Sequence, residues 1–385
     1  MSEIKVNSIK GVSATSAAIS INNTDGTCTA NITNNLSNRN KVINGAMQVA
    51  QRNTSVTGIT SGDYYVCDRW KLGYGTAGTW TLSQSTDTPN NFGNSLKFDC
   101  TTANGSLSAG SNLQLLQFFE GQDLQDVEKG TSSAKQISVS FYVKTNKTGT
   151  YVVELMDHDN SNRHCSKSYT VTDTNWNRYT LTFPADTTGA LDNDNAKSFE
   201  IGFWLAAGSN FTTGSLQTSW GALSQSGRAV GQVNLADNTS NEWYITGVQL
   251  EVGSVATDFE HRSFAQELRL CQRYFQKSFN QGVTPAVDLD KCVYMIVRPY
   301  TNQYVEAINT DLVVEMRSQP TVTFYPTSSS GSGSVGQISY YDGSWSNTTG
   351  TYQTTQATNQ RFTISAVASS STTLVQYNYT ASAEL

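Results

Sequence analysis

Three histidines in 385 residues leave imidazole catalysis few candidates. Two of them, His158 and His164, fall in MDHDNSNRHC, where Asp157 and Asp159 add carboxylates that could ligate a metal. Their spacing fits no metal-binding pattern, and strand-like VVEL and SYTV on either side make a hairpin loop the better reading. The carboxylates of LDNDNAK (191–197) could hold a structural calcium, but the central Gly and closing Glu of an EF-hand loop are missing, so a turn reads better here too. No nucleophile elbow, phosphate loop, dinucleotide glycine motif or HExxH helix occurs. Glycoside cleavage needs only two carboxylates, and a pair such as Glu154 and Asp157 could meet another in space. Dedicated polysaccharide-cleaving domains of β-helix type carry a repeat, and none is visible. The chain therefore reads as a non-enzyme with no catalytic residue, no metal and no cofactor assigned.

The tryptophans offer a different chemistry. Trp70, Trp204 and Trp243 sit inside apolar strands and belong to a core. Trp80, Trp176, Trp220 and Trp345 sit beside Gly, Thr, Asn and Ser, where an indole face can stay exposed. Pyranose rings stack on such faces while neighbouring amides and hydroxyls take the sugar hydroxyls. Trp345, in a Gly-Ser-Asn loop after Tyr340 and Tyr341, leads these glycan-binding candidates.

Residues of this kind need a scaffold, and the composition says which. Hydrophobic residues make up 37% and charged ones 15%, with 29 Gly, 18 Tyr, 15 Phe and 7 Trp. That many aromatics imply order. Thr and aromatics suit pleated strands, and Asn, Gly and Ser suit turns, so the chain is expected to be all-β. A net charge of −6 without a Lys/Arg cluster argues against nucleic acid and anionic membrane as partners. No apolar run approaches the ~20 residues of a membrane span, and MSEIKVNSIKG lacks the apolar stretch of a signal peptide. Six scattered Cys without a CxxC read as free thiols.

Along the chain four regions are expected. Residues 1–40 are too polar to enclose a core, and their isolated apolar positions, Ile4, Val6, Ile9, Ile19 and Ile21, fit an extended arm that attaches to copies of itself or to another protein. From 41 to 262 about eleven short strands, bounded by Gly, Asn, Asp or Ser, predict a jelly-roll β-sandwich. In one of them Ile137, Val139, Phe141 and Val143 should face inward, with Ser138, Ser140 and Tyr142 outward. Gly247, where YITG meets VQLEV, should mark a bulge. Residues 263–280 predict a connecting helix of about fourteen residues, capped by Ser263 and Gln266 and carrying an apolar stripe of Phe264, Leu268, Cys271 and Phe275 for an oligomer or inter-domain contact. Residues 281–385 form a second, smaller C-terminal β domain, with Pro320 and Pro326 bracketing TVTFY and a candidate receptor-contacting tip.

Five segments occur in the order VINGAMQVAQR (42–52), DRW (68–70), ITGVQLEVGSVATDFEHRS (245–263), ELRLCQRYFQKS (267–278) and MRSQPTVT (316–323). Together they resemble the tail-fibre or receptor-binding proteins of bacteriophages, notably those of aquatic bacteria. The N-terminal IKVNSIKG is similar to the leaders that attach such fibres. The resemblance implies a homotrimeric virion component, assembled in the bacterial cytoplasm and joined to other tail proteins by its arm. It further implies jelly-roll domains, like carbohydrate-binding modules, that contact host surface polysaccharide. The other readings are a virion decoration or head fibre without a receptor, and a polysaccharide depolymerase.

Overall fold

The computed structural model describes residues 38–287 and, outside them, 6, 8–9, 12, 19–21, 24, 28–30, 293–296, 308–327, 333–341, 343–348, 353–354, 357–365 and 374–385. In the arm, β1 (Ser8–Ile9), β2 (Ile19–Ile21) and β3 (Cys28–Ala30) form a small antiparallel sheet in that order. Val6 and Ile9 are exposed, Ile19 and Ile21 half-buried, and Ile4 lies outside the described residues.

Eleven strands then build two facing sheets: β4 (Ser55–Ile59), β5 (Lys71–Gly75), β6 (Thr79–Ser85), β7 (Ser95–Thr102), β8 (Asn112–Glu120), β9 (Ile137–Thr145), β10 (Gly149–Asp157), β11 (Arg163–Val171), β12 (Asn177–Phe183), β13 (Lys197–Ala207) and β14 (Glu242–Val252). One sheet runs β11-β10-β13-β8-β5 and the other β12-β9-β14-β7-β6-β4. The chain crosses between them again and again, as in a jelly roll. The protein is all-β, and its main core lies between these layers.

Period-two alternation explains the layers. Ile137, Val139, Phe141 and Val143 of β9 all point inward and are buried. Phe203 of the opposite sheet stands 5.0 Å from the Phe141 ring and 6.4 Å from Trp243. Trp80 corrects the expectation drawn from its polar neighbours: it is 0% exposed, on the inner face with Leu82, and its indole N–H donates to Ala77 O at 2.7 Å. Trp204 is buried on the outer face instead, beside Val152 and Ala229, where a single helical turn, α1 (Ser209–Thr212), and the residues after it cover the sheet.

Tyr142 points outward as expected, but Ser138 and Ser140 are buried too. Residues 253–260 fold across that end of the sheet: Ser138 Oγ donates to Gly253 O at 2.8 Å, and Glu260 N donates to Gln249 Oε1 at 2.8 Å. The bulge at Gly247 is present, since the pairing of β14 with β9 slips between Thr246 and Gln249. Gly247 has φ +62, and a Cβ there would lie 2.6 Å from Phe92 Cζ, so only glycine fits.

Helix α2 (Phe264–Gln272) begins at Ser263, whose Oγ accepts from Gln266 N at 3.3 Å. It is shorter than predicted, because the chain re-enters extended structure as β15 (Phe275–Lys277). The predicted stripe is accordingly not one helix face. Cys271 is buried and Leu268 half-buried, whereas Phe264 is 48% exposed and Phe275 belongs to a strand.

The second β region comprises β16 (Val293–Ile296), β17 (Ile308–Asp311), β18 (Thr321–Tyr325), β19 (Ile338–Tyr341), β20 (Trp345–Thr348), β21 (Gln353–Thr354), β22 (Arg361–Ser365) and β23 (Leu374–Ser382). β23 pairs with β15, β16, β18 and β19, while β17, β22 and β21 form a separate three-stranded sheet. Phe324, Ile338, Phe362, Val375 and Tyr377 make a second core.

The five sequence segments meet at the junction between the two cores. Asn44 N donates to Glu267 Oε1 at 2.5 Å, Asn44 Nδ2 to Asp68 O at 3.0 Å, and Trp70 Nε1 to Asn44 O at 3.0 Å. Gln51 Nε2 donates to Phe275 O at 2.8 Å, and Lys277 Nζ returns a bond to Gln51 O at 2.7 Å. Arg262 Nη1 donates to Val42 O at 2.9 Å, and Arg317 N to Arg273 O at 2.8 Å. These segments act as architecture, holding one core against the next.

Candidate functional site

The outer face of the six-stranded sheet carries the most developed constellation for ligand binding. In β14, Trp243 and Ile245 point into the core, so Glu242 and Tyr244 on either side of Trp243 must point out. Lys97 of β7 and Lys144 of β9 flank Tyr244 from the neighbouring strands, Tyr244 lying opposite both in register. The turn before β12 brings Trp176 over the same spot, and the turn after β6 brings Asp87.

Trp176 and Tyr244 form a corner, with ring centroids 6.2 Å apart at 68°. Trp176 Nε1 donates to Asp87 Oδ1 at 2.9 Å, and Asp87 Oδ2 takes Lys144 Nζ at 2.6 Å. Glu242 accepts from Lys97 Nζ at 2.6 Å and from the Tyr244 hydroxyl at 2.8 Å. The two ammonium groups stand 5.5 and 5.6 Å from the Tyr244 ring centre. Beside this cluster opens a hollow of about 410 Å³, lined by Lys144, Thr145, Asn146, Thr174, Asn175, Trp176, Glu242 and Tyr244.

The electrostatics follow from these bonds. The Lys144 hydrogen bond holds Asp87 below the usual carboxylate range, against partial desolvation. For Glu242 desolvation raises the pKa, but the bonds from Lys97 and Tyr244 outweigh it and the net direction is down. Both carboxylates are therefore poised as permanent acceptors. An indole wall with ionised acceptors and amide donors around it can stack an apolar sugar face and hold its hydroxyls.

Of the other sequence candidates, Tyr341 and Trp345 are brought together. They face each other across the β19–β20 hairpin with ring centroids 5.4 Å apart, tilted by 58° and both half-buried. Tyr340, next to them, packs against the second core. Trp220 does not present a free face. Its ring lies 5.8 Å from Phe199, the Lys129 ammonium sits 5.5 Å over it, and its N–H donates to Pro184 O at 2.8 Å.

The histidine loop is structural. Lys129 pairs with Asp157 and, at 3.1 Å, with Asp186, and Asn160 Nδ2 donates to Asp157 Oδ2 at 2.9 Å. His158 bridges Asn162 and Glu200 at 2.8 and 2.9 Å, while His164 is paired with buried Glu154 at 2.9 Å. In LDNDNAK, Asp192 accepts from Ser198 Oγ at 3.1 Å. Among the described residues no group of three or more His, Cys, Asp or Glu is arranged to hold a metal ion.

Tyr244, Glu242, Lys97, Lys144 and Asp87 were not foreseen from sequence. The alternation about Trp243 could have flagged Glu242 and Tyr244; the approach of Trp176 to Asp87 spans 89 positions and leaves no local signal.

No family model and no curated protein matches the chain. Solved structures with similar segments include the enzymatically active domain of tailspike protein 4 from bacteriophage CBA120 (15% identity, TM-score 0.31, 56% of this chain). This chain spans 21% of that one. A CBM4 module (12%, 0.28) is matched over 54% of this chain and 97% of its own. The C-terminal family 22 carbohydrate-binding module of Clostridium thermocellum Xyn10B (13%, 0.28) is matched over 52% and 99%. The fold described above stands on strand order and register, independently of these likenesses.

Proposed function

We propose that this protein is a non-enzymatic glycan-binding adhesin of a bacteriophage particle, and that the hollow beside Trp176 receives the sugar. The observation that carries the glycan assignment is the half-buried Trp176 indole beside Tyr244, with Glu242, Asn146 and Asn175 within the same hollow. The lowered pKa values of Asp87 and Glu242 favour binding over hydrolysis, because glycosidases need one carboxyl kept protonated as the acid. The Tyr341 and Trp345 pair offers a second aromatic contact in the C-terminal domain.

The phage assignment rests on the five sequence segments and the IKVNSIKG leader. Exposed Ile9 on the small N-terminal sheet, and exposed Val6 just before it, support an arm that is covered on assembly, by copies of the chain in a homotrimer or by other tail proteins. Location on the outside of the virion follows from that reading.

The test is binding of the purified protein to host cells and to an immobilised polysaccharide panel. Trp176→Ala should lower affinity at least about tenfold, the equivalent of ~1.4 kcal/mol, with an unchanged fold by circular dichroism. Undiminished binding by that variant would remove the hollow from the proposal.

A further inference from the structure

We infer that the hollow selects an uncharged glycan, a neutral hexose or pentose chain, over a uronate or sulfated one. The inference rests on the glycan reading given above and adds the ligand class. Charge around Tyr244 comes as two closed pairs, Lys97 with Glu242 and Lys144 with Asp87, each at 2.6 Å. These four groups sum to zero, each cation is already engaged by a carboxylate, and Asp99, opposite Glu242 in register, adds a negative charge beside Lys97.

An anionic sugar would have to take Lys144 from Asp87 or Lys97 from Glu242. Either exchange leaves a carboxylate without its cation, close to the incoming negative charge, so the attraction gained is offset by the pair lost. Of the cations on the neighbouring turn and strand, Lys147 is paired with Asp237 at 2.5 Å, while Arg178 donates to the neutral Thr257 O, which fixes its direction without cancelling its charge. A neutral sugar needs no exchange. Its hydroxyls donate to the remaining lone pairs of Glu242, and its ring covers the Trp176 face.

The two classes also differ in their response to salt. Stacking and neutral hydrogen bonds are insensitive to ionic strength, whereas recognition of a polyanion weakens as the Debye length falls from ~30 Å at low salt to ~3 Å at ~1 M.

Titration calorimetry of the full chain would use neutral probes (β-glucan, mannan, galactan) and acidic ones (alginate, polygalacturonate, heparin) at low and high salt, with Trp176→Ala and Trp176→Leu alongside. The expected result is binding of a neutral polymer that is salt-independent and lost in both variants. Salt-sensitive binding of an acidic polymer that still requires Trp176 would overturn the charge inference and leave the glycan site standing. Failure to bind any polymer, or binding indifferent to both Trp176 variants, would overturn the site and the inference together.

Discussion

The guanidinium of Arg69, 1% exposed, is paired with the carboxylate of Glu384, 315 positions further along the chain, and lies 3.4 Å from the Tyr274 ring centre. Arg52 reaches the same carboxylate at 3.0 Å, with its own guanidinium 3.8 Å over Phe275. This pair clamps the second β region to the first.

Removing Glu384 strands the Arg69 charge out of water, whereas without Arg69 the Glu384 carboxylate keeps Arg52. Glu384→Gln is therefore expected to cost ~3–5 kcal/mol, and Arg69→Met or the double change to apolar residues less. Urea unfolding followed by tryptophan fluorescence would measure this. A Glu384→Gln transition superimposable on wild type would show that the clamp contributes nothing.

Trp80 and Trp243 are 0% exposed, so truncation of either to Ala should cost ~3–5 kcal/mol. Trp176 is half-buried and loses chiefly its bond to Asp87, so Trp176→Ala should cost no more than about 1.5 kcal/mol. Chemical denaturation of the three variants side by side separates core from site. A Trp176 variant as unstable as the other two would make it a packing residue.

Much of this was legible and some was not, for identifiable reasons. Inward Ile137, Val139, Phe141 and Val143 and buried Trp243 follow from alternation within one strand. The polar neighbours of Trp80 suggest an exposed ring, but the period-two pattern sets Trp80 and Leu82 on one side, and that side faces the core. The apolar spacing from Phe264 to Phe275 looked helical, but pairing of Phe275–Lys277 with β23, about a hundred residues away, ended the helix. The proposed binding corner depends on Asp87, Trp176 and Tyr244 meeting from three distant turns and strands, which no window of sequence contains.

Stability should respond to acid in two opposite ways. Burial raises Asp68 to about 6, against the pull of Arg52 and the Gln51 hydrogen bonds. Its folded value lies above the ordinary 3.8, so the folded chain holds this proton more tightly than the unfolded chain. Asp68's contribution is fully present below about pH 4, and ~3 kcal/mol of it is lost as pH rises through about 6. Glu154 has the other sign: burial raises its pKa, but His164 and Arg228 outweigh this and hold it down. Its contribution is present above the ordinary 4.5 and lost as pH falls through the lowered folded value. The unfolding free energy of wild type minus that of Asp68→Asn should therefore decline between about pH 4 and about pH 6. A flat difference would mean that Asp68 titrates alike in both states.

Gly247→Ala places a methyl group 2.6 Å from Phe92 Cζ and 2.9 Å from Tyr142 Cδ2, at a φ of +62. The expected cost is ~1–3 kcal/mol. Differential scanning calorimetry would report it as a lowered Tm, and an unchanged Tm would show that the bulge tolerates a side chain.

The place of β23 in its sheet bears on how the chain comes off the ribosome. Strands β15, β16, β18 and β19 all take their partner from Leu374–Ser382, so none of these pairings can begin until residue 374 has been made, and those of β15 and β18 close only with residue 382. The first sandwich, complete by Val252, can fold while the second β region still waits with its edges open. Nascent chains stalled between those two points should carry a protease-resistant sandwich and a protease-sensitive remainder, and that interval is when the protein is most open to aggregation.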